Sequence, residues 1–173
     1  MHSIVYSTWG LVHLLAALAS LVLGTTVLLL PKSGPRHRRL GYAYVGSVVV
    51  MLVTCFGIYR QFHGFGIFHV AALLSTATLV VGMVPVLRRK PARSWQQLHL
   101  SFMYASVLEL YVALVAEVLV RVPGLSFGEV VALSLATVLL PGAALFLRFW
   151  RGWHRDKTQL ETPPVLVAHS GKR

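Results

Sequence analysis

Charge is what this sequence has little of. Only 12% of its 173 residues are Asp, Glu, Lys or Arg, against about 25% in a soluble domain. Cysteine is scarcer still. The single Cys55 lies inside an apolar run, so no intrachain disulfide can form and a small core role is expected. The first residues, MHSIVYSTWG, contain no basic opening and no small-residue cleavage site, so they read as the start of a first span rather than a removed leader. No basic helix interleaved with aromatics is present, so the net charge of +11 does not point to nucleic acid. A His-Glu-x-x-His pair or any other close metal-ligand pair is also missing.

What the chain does have is apolar length. Hydrophobic residues make up 56% of it, and runs of roughly 20 such residues recur, which is the transmembrane pattern. Spans are expected near 5–30, 41–60, 66–87, 96–120 and 128–148, separated by PKSGPRHRR, RQFHGFG, RRKPARSW and RVPGLSFGE. The expected fold is all-α, an integral membrane bundle of five transmembrane helices in one domain, 1–150, followed by a flexible cytoplasmic tail, 151–173. Lys32, Arg36, Arg38 and Arg39 fall in the first break. Arg88, Arg89, Lys90 and Arg93 fall in the third. The tail holds six more basic residues, so 14 of 16 lie on one side, with Arg60 and Arg121 on the other. The positive-inside rule then puts the N-terminus out and the C-terminus in, with the lipid bilayer as the first partner.

Ionisable groups at membrane depth are expensive and tend to face a partner or a cavity. At 100° per residue, Trp9, His13, Ala16, Ala17, Ser20 and Gly24 share one stripe of span one. His69, Ala72, Leu73, Thr76 and Met83 share one of span three, and His99, Met103, Ser106, Leu110, Ala113 and Glu117 one of span four. Glu109 lies about 80° away from that last stripe. Depth sorts the ligand-type residues into two layers. His13, His69 and Glu117 are in the outer one, with His63 in the adjoining loop. His99 is in the inner one, with His37 in the first loop. Each histidine alone is explained by a hydrogen bond to a Ser or Thr of a neighbouring helix, whereas the recurrence at matching depths points to a cofactor. Glu117 and Arg121 are spaced for an ion pair, and Glu129 for capping the fifth helix. His2, His154 and His169 are expected in solvent.

HRRLGYAYV, from His37 to Val45, HLSFM, from His99 to Met103, and AEVLVRVP, from Ala116 to Pro123, carry a resemblance. Together with His13 and His69, these segments resemble a family of bacterial multi-pass membrane proteins, domain of unknown function 2306, over roughly residues 8–148. The matching motifs are His-Arg-x-x-Gly at His37 to Gly41, His-x-x-aromatic-Met at His99 to Met103, and Glu-x-x-x-Arg-x-Pro at Glu117 to Pro123. A Ser-Tyr pair expected after the Met is replaced by Ala105 and Ser106, with no ligand lost. The resemblance implies a bacterial cytoplasmic (inner) membrane location and singles out the same four histidines. It implies no reaction.

The function expected first is that of a b-type haem electron carrier. His13 with His69 would hold an outer haem, and His99 with His37 an inner one, fed by quinol or another redox partner. The plan is similar to that of cytochrome b561-like bundles. The alternative is a divalent metal, zinc above all, on His13, His69 and Glu117, serving a membrane hydrolase. The third reading is a non-enzymatic membrane subunit or transporter.

Overall fold

The computed structural model describes residues 8–32, 34–57, 66–90 and 94–161, with side chains as far as Phe149. Five helices follow in order: α1 (Thr8–Leu29), α2 (Pro35–Cys55), α3 (Ile67–Arg88), α4 (Trp95–Leu119) and α5 (Phe127–Glu161). No strand occurs among the described residues, so the fold is all-α as expected. Four stretches are long and apolar enough to cross a bilayer: α1, α3, α4 and Phe127–Phe149 of α5. The 22 residues of α1 or α3 reach about 33 Å at 1.5 Å per residue, enough for a hydrocarbon core of about 30 Å. The chain is a multi-pass membrane protein. α2 has 21 residues but opens on Arg36, Arg38 and Arg39, and it is not among the four.

Its packing is that of a protein surrounded by lipid. Val22, Leu29, Leu140 and Phe149 are each more than 60% exposed, while Ser20 and Ser134 are wholly buried. Lipid tails remove the hydrophobic drive between helices, so small residues and interhelical hydrogen bonds carry the association. α1 and α2 pair antiparallel: His13 meets Met51 and Thr54, Ser20 meets Ser47, and Gly24 meets Tyr44. The buried Ala16, Ser20 and Gly24 confirm the small-residue stripe of α1. α4 is the hub. Tyr111 bonds Thr25 of α1, Ser106 bonds Tyr44 of α2, His99 and Glu109 bond α3, and Tyr104 bonds the Gly142 carbonyl of α5.

Tyr44 reaches α4 through a notch. A Cβ on Gly24 would lie 2.8 Å from the Tyr44 ring and 2.9 Å from Val107. The hydrogen at this position lets the ring, only 1% exposed, pass to Ser106 at 2.8 Å. Ser106 spends its own proton on the Met103 carbonyl, so the Tyr44 hydroxyl is the donor.

Three expectations change. α2 begins at Pro35, not near 41, because Pro at the first helical position is pre-set for helix rather than a break. His37 is therefore a helical residue and not a loop residue. α5 continues to Glu161 instead of giving way to a flexible tail near 151, since Arg, Lys, Gln and Leu sustain a helix up to the neighbourhood of the Pro163–Pro164 pair. The stripes of spans three and four hold only in part. Leu73 is 53% exposed, Thr78 and Leu79 are buried in its stead, and the α4 stripe faces inward from His99 to Leu110 but not at Ala113 and Glu117. His2, Arg60, His63, Arg93 and the segment beyond Glu161 lie outside the described residues, as does the side chain of His154.

Candidate functional site

The alternating helices bring the start of α2, the end of α3 and the start of α4 to one end of the bundle. This end is basic, with Lys32, Arg36, Arg38, Arg39, Arg88, Arg89 and Lys90. His99 and His37 are both here. The Nδ1 of His99 bonds the Gly82 carbonyl of α3 at 2.8 Å. A carbonyl only accepts, so Nδ1 carries the proton and Nε2 keeps its lone pair. That arrangement orients metal-ligating histidines generally. Two local features allow it. Gly82 lets α4 come close, since a Cβ there would lie 2.9 Å from the Met103 sulfur. Pro85 leaves the carbonyl of Val81, next to Gly82, without its helical N–H.

His37 stands in the first turn of α2, within electrostatic range of Lys32 and His99. Its Nδ1 is buried and has no hydrogen-bond partner among the described residues. A buried nitrogen in that state costs about 1–3 kcal/mol. An open cavity of about 330 Å³ on the same turn is lined by Gly34, Pro35, Arg38 and Arg39.

The opposite end holds His13, His69 and Glu117, of which His69 and Glu117 are committed to near neighbours in sequence and His13 to α2. His13 Nδ1 bonds the Met51 carbonyl and Thr54 Oγ1, both at 3.0 Å, so its proton is on Nδ1. His13 also lies within electrostatic range of Glu117, which fits their expected common depth. His69 is different. It is the third residue of α3, and its Nδ1 accepts the Gly66 N–H at 3.0 Å. Its proton is therefore on Nε2, the wrong tautomer for an Nε2 ligand. The ring is spent as a cap on its own helix, beside Phe56 at 5.8 Å. Glu117 pairs with Arg121 at the surface, 56% exposed. Among the described residues no three His, Cys, Asp or Glu side chains gather to hold one metal ion. The set of His13, His69 and Glu117 is thus not assembled as a three-ligand zinc site. Ser126 and Glu129 cap α5 reciprocally, as the position of Glu129 suggests.

Glu109 is what the stripe argument passed over. Its Oε1 accepts from Thr78 of α3 at 2.8 Å, and its Oε2 is buried without a partner among the described residues. Glu109 is off the Glu117 stripe because it faces α3. The signal in the sequence was the bare presence of a carboxylate mid-span. Cys55 is half-buried against the core, as expected. No family model, curated protein or solved structure matches the chain.

Proposed function

We propose that this chain is a membrane-embedded b-type haem protein whose haem is held at the basic end by His37 and His99. The observation that carries the reading is the buried, partnerless Nδ1 of His37 beside His99. His99 would offer Nε2 with its other nitrogen fixed by the Gly82 carbonyl, and His37, from a different helix, would supply the second nitrogen to hold a haem. Lys32, Arg38 and Arg39 supply charge to neutralise propionates, and the cavity beside Arg38 leaves them room. A haem there would supply a one-electron couple. The protein's own part is to orient His99 and to present His37 from the first turn of α2. The electron donor proposed is a quinol or another membrane redox partner.

The reading includes one haem rather than two, because the tautomer of His69 counts against an outer pair. It includes five spans, because α2 pairs with α1 from His13 to Gly24 and so crosses beside it. With the 14-to-2 charge split, this gives N-terminus out and C-terminus in, in a bacterial inner membrane. The likeness to domain of unknown function 2306 belongs to the same proposal, since its motifs contain both His37 and His99.

The test is the reduced-minus-oxidised visible spectrum of detergent-purified protein, with haem content assayed chemically. Native protein is expected to show a bis-histidine b-type spectrum. His37→Ala and His99→Ala should each lose it, while His13→Ala and His69→Ala keep it. Haem retained in His99→Ala, or absent from native protein purified with haem supplied, sinks the reading.

A further inference from the structure

Glu109 has no part in the haem reading, and its surroundings give it a role of their own. It lies 14 residues after Trp95 and 10 before Leu119 on α4. That is about 21 Å and about 15 Å from the two ends of the helix, near the middle of a bilayer. Thr78 donates to Oε1 at 2.8 Å, while Oε2 is buried with no partner. Among the described residues the ion pair formed is Glu117 with Arg121, and no cation lies at ion-pair distance from Glu109. An uncompensated charge at this depth is strongly disfavoured, and intramembrane carboxylates mark ion or proton pathways.

The titratable groups around it are few. From α2, Tyr44 is within electrostatic range, and its hydroxyl bonds Ser106 one turn before Glu109. On α4 itself, Tyr111 is tied to Thr25 of α1. The ionisable residues of α1 and α3 are His13, His69 and Arg88, all near helix ends, and the membrane part of α5 carries only Glu129 and Arg148, also near its ends. Among the described residues no three His, Cys, Asp or Glu side chains gather to hold a metal ion. One orphan oxygen is enough for a proton.

We propose that Glu109 is an intramembrane proton-binding site. A proton taken from water forms an O–H bond on Oε2 and neutralises the carboxylate, while Thr78 holds Oε1. Released, the proton leaves Glu109 as a carboxylate whose Oε1 still accepts from Thr78, within electrostatic range of Tyr44. The inference is independent of the haem reading, since it can be read in protein with or without haem.

The test is infrared spectroscopy of the protein in lipid vesicles at about pH 7. A free carboxylic acid C=O band, shifted in D₂O, is expected in native protein. It should be lost in Glu109→Gln and kept in Glu117→Gln and Glu129→Gln. A second measurement needs no variant. Dicyclohexylcarbodiimide, which attacks protonated carboxyls in apolar surroundings, should modify the native peptide containing Glu109 and not those containing Glu117 or Glu129. A missing acid band in native protein, a band that survives Glu109→Gln, or labelling confined to Glu117 or Glu129 overturns the proposal. So does a band abolished by adding sodium at constant pH, which would make the ligand a metal cation.

Discussion

At Gly24 a single hydrogen atom decides how two helices meet. Gly24→Ala drives a methyl group into the Tyr44 ring and Val107. The expected loss is about 1–3 kcal/mol, the usual cost of overpacking, read as a lower midpoint in detergent-induced unfolding. Tyr44→Phe keeps the ring and removes only its hydrogen bond, so its expected cost is smaller, about 1 kcal/mol. Equal losses in the two variants would mean that the notch matters only through the hydrogen bond to Ser106. His69 gives a second contrast. As a cap rather than a ligand, His69→Ala should lower stability by about 1 kcal/mol and leave any bound haem unchanged, whereas His99→Ala should remove the haem. Loss of haem on both substitutions would return His69 to the ligand set. The spacing along the chain separates His13 and His69 from His37 and His99, which lie at the opposite end of the bundle. It does not reveal which nitrogen is free, because that depends on a carbonyl or an amide brought up by the fold.

The helices illustrate how local signals compete. Ser126 and Glu129 form a reciprocal cap on α5. Ser126→Ala should speed amide hydrogen exchange in the first turn, Phe127–Val130, while leaving α1 to α4 untouched. Unchanged exchange there would show that the turn is held by the bilayer and not by its cap. The same kind of residue-level chemistry explains the late expectation for α2. PKSGPRHRR reads as a break because Pro, Gly and charge coincide, yet Pro35 is the first helical residue and Gly34 adopts the positive φ of 131° that ends the turn before it. Composition marks that a break exists. Only the backbone shows on which residue it stops.

Across the whole molecule, the number of crossings and the charge split must agree. An odd number of spans separates the termini and an even number joins them, so the fate of α2 sets the topology. Tags on the two termini should be accessible from opposite faces of the membrane, with the N-terminal one outside. Both on one face would mean that α2 lies along α1 without crossing, leaving the four long apolar helices as the spans. The antiparallel register of α1 and α2, fixed at His13, Ser20 and Gly24, argues for crossing.

Some of this was settled along the chain. Apolar length, the positions of the breaks and the clustering of basic residues are one-dimensional properties, and they determined an all-helical chain with a basic end and the histidines that share it, with four of the five expected spans long and apolar enough to cross a membrane. The Glu117–Arg121 pair and the α5 cap follow from spacings of four and three residues. The rest needed tertiary structure, because the deciding partners are distant in sequence. Gly82 is 17 residues from His99, Thr78 is 31 from Glu109, and Thr25 is 86 from Tyr111. Periodicity can say that Glu109 lies off a stripe, but the neighbour it faces is set by which helix packs there. α3 does so, offering one hydroxyl to one oxygen and leaving the other buried with no hydrogen-bond partner among the described residues.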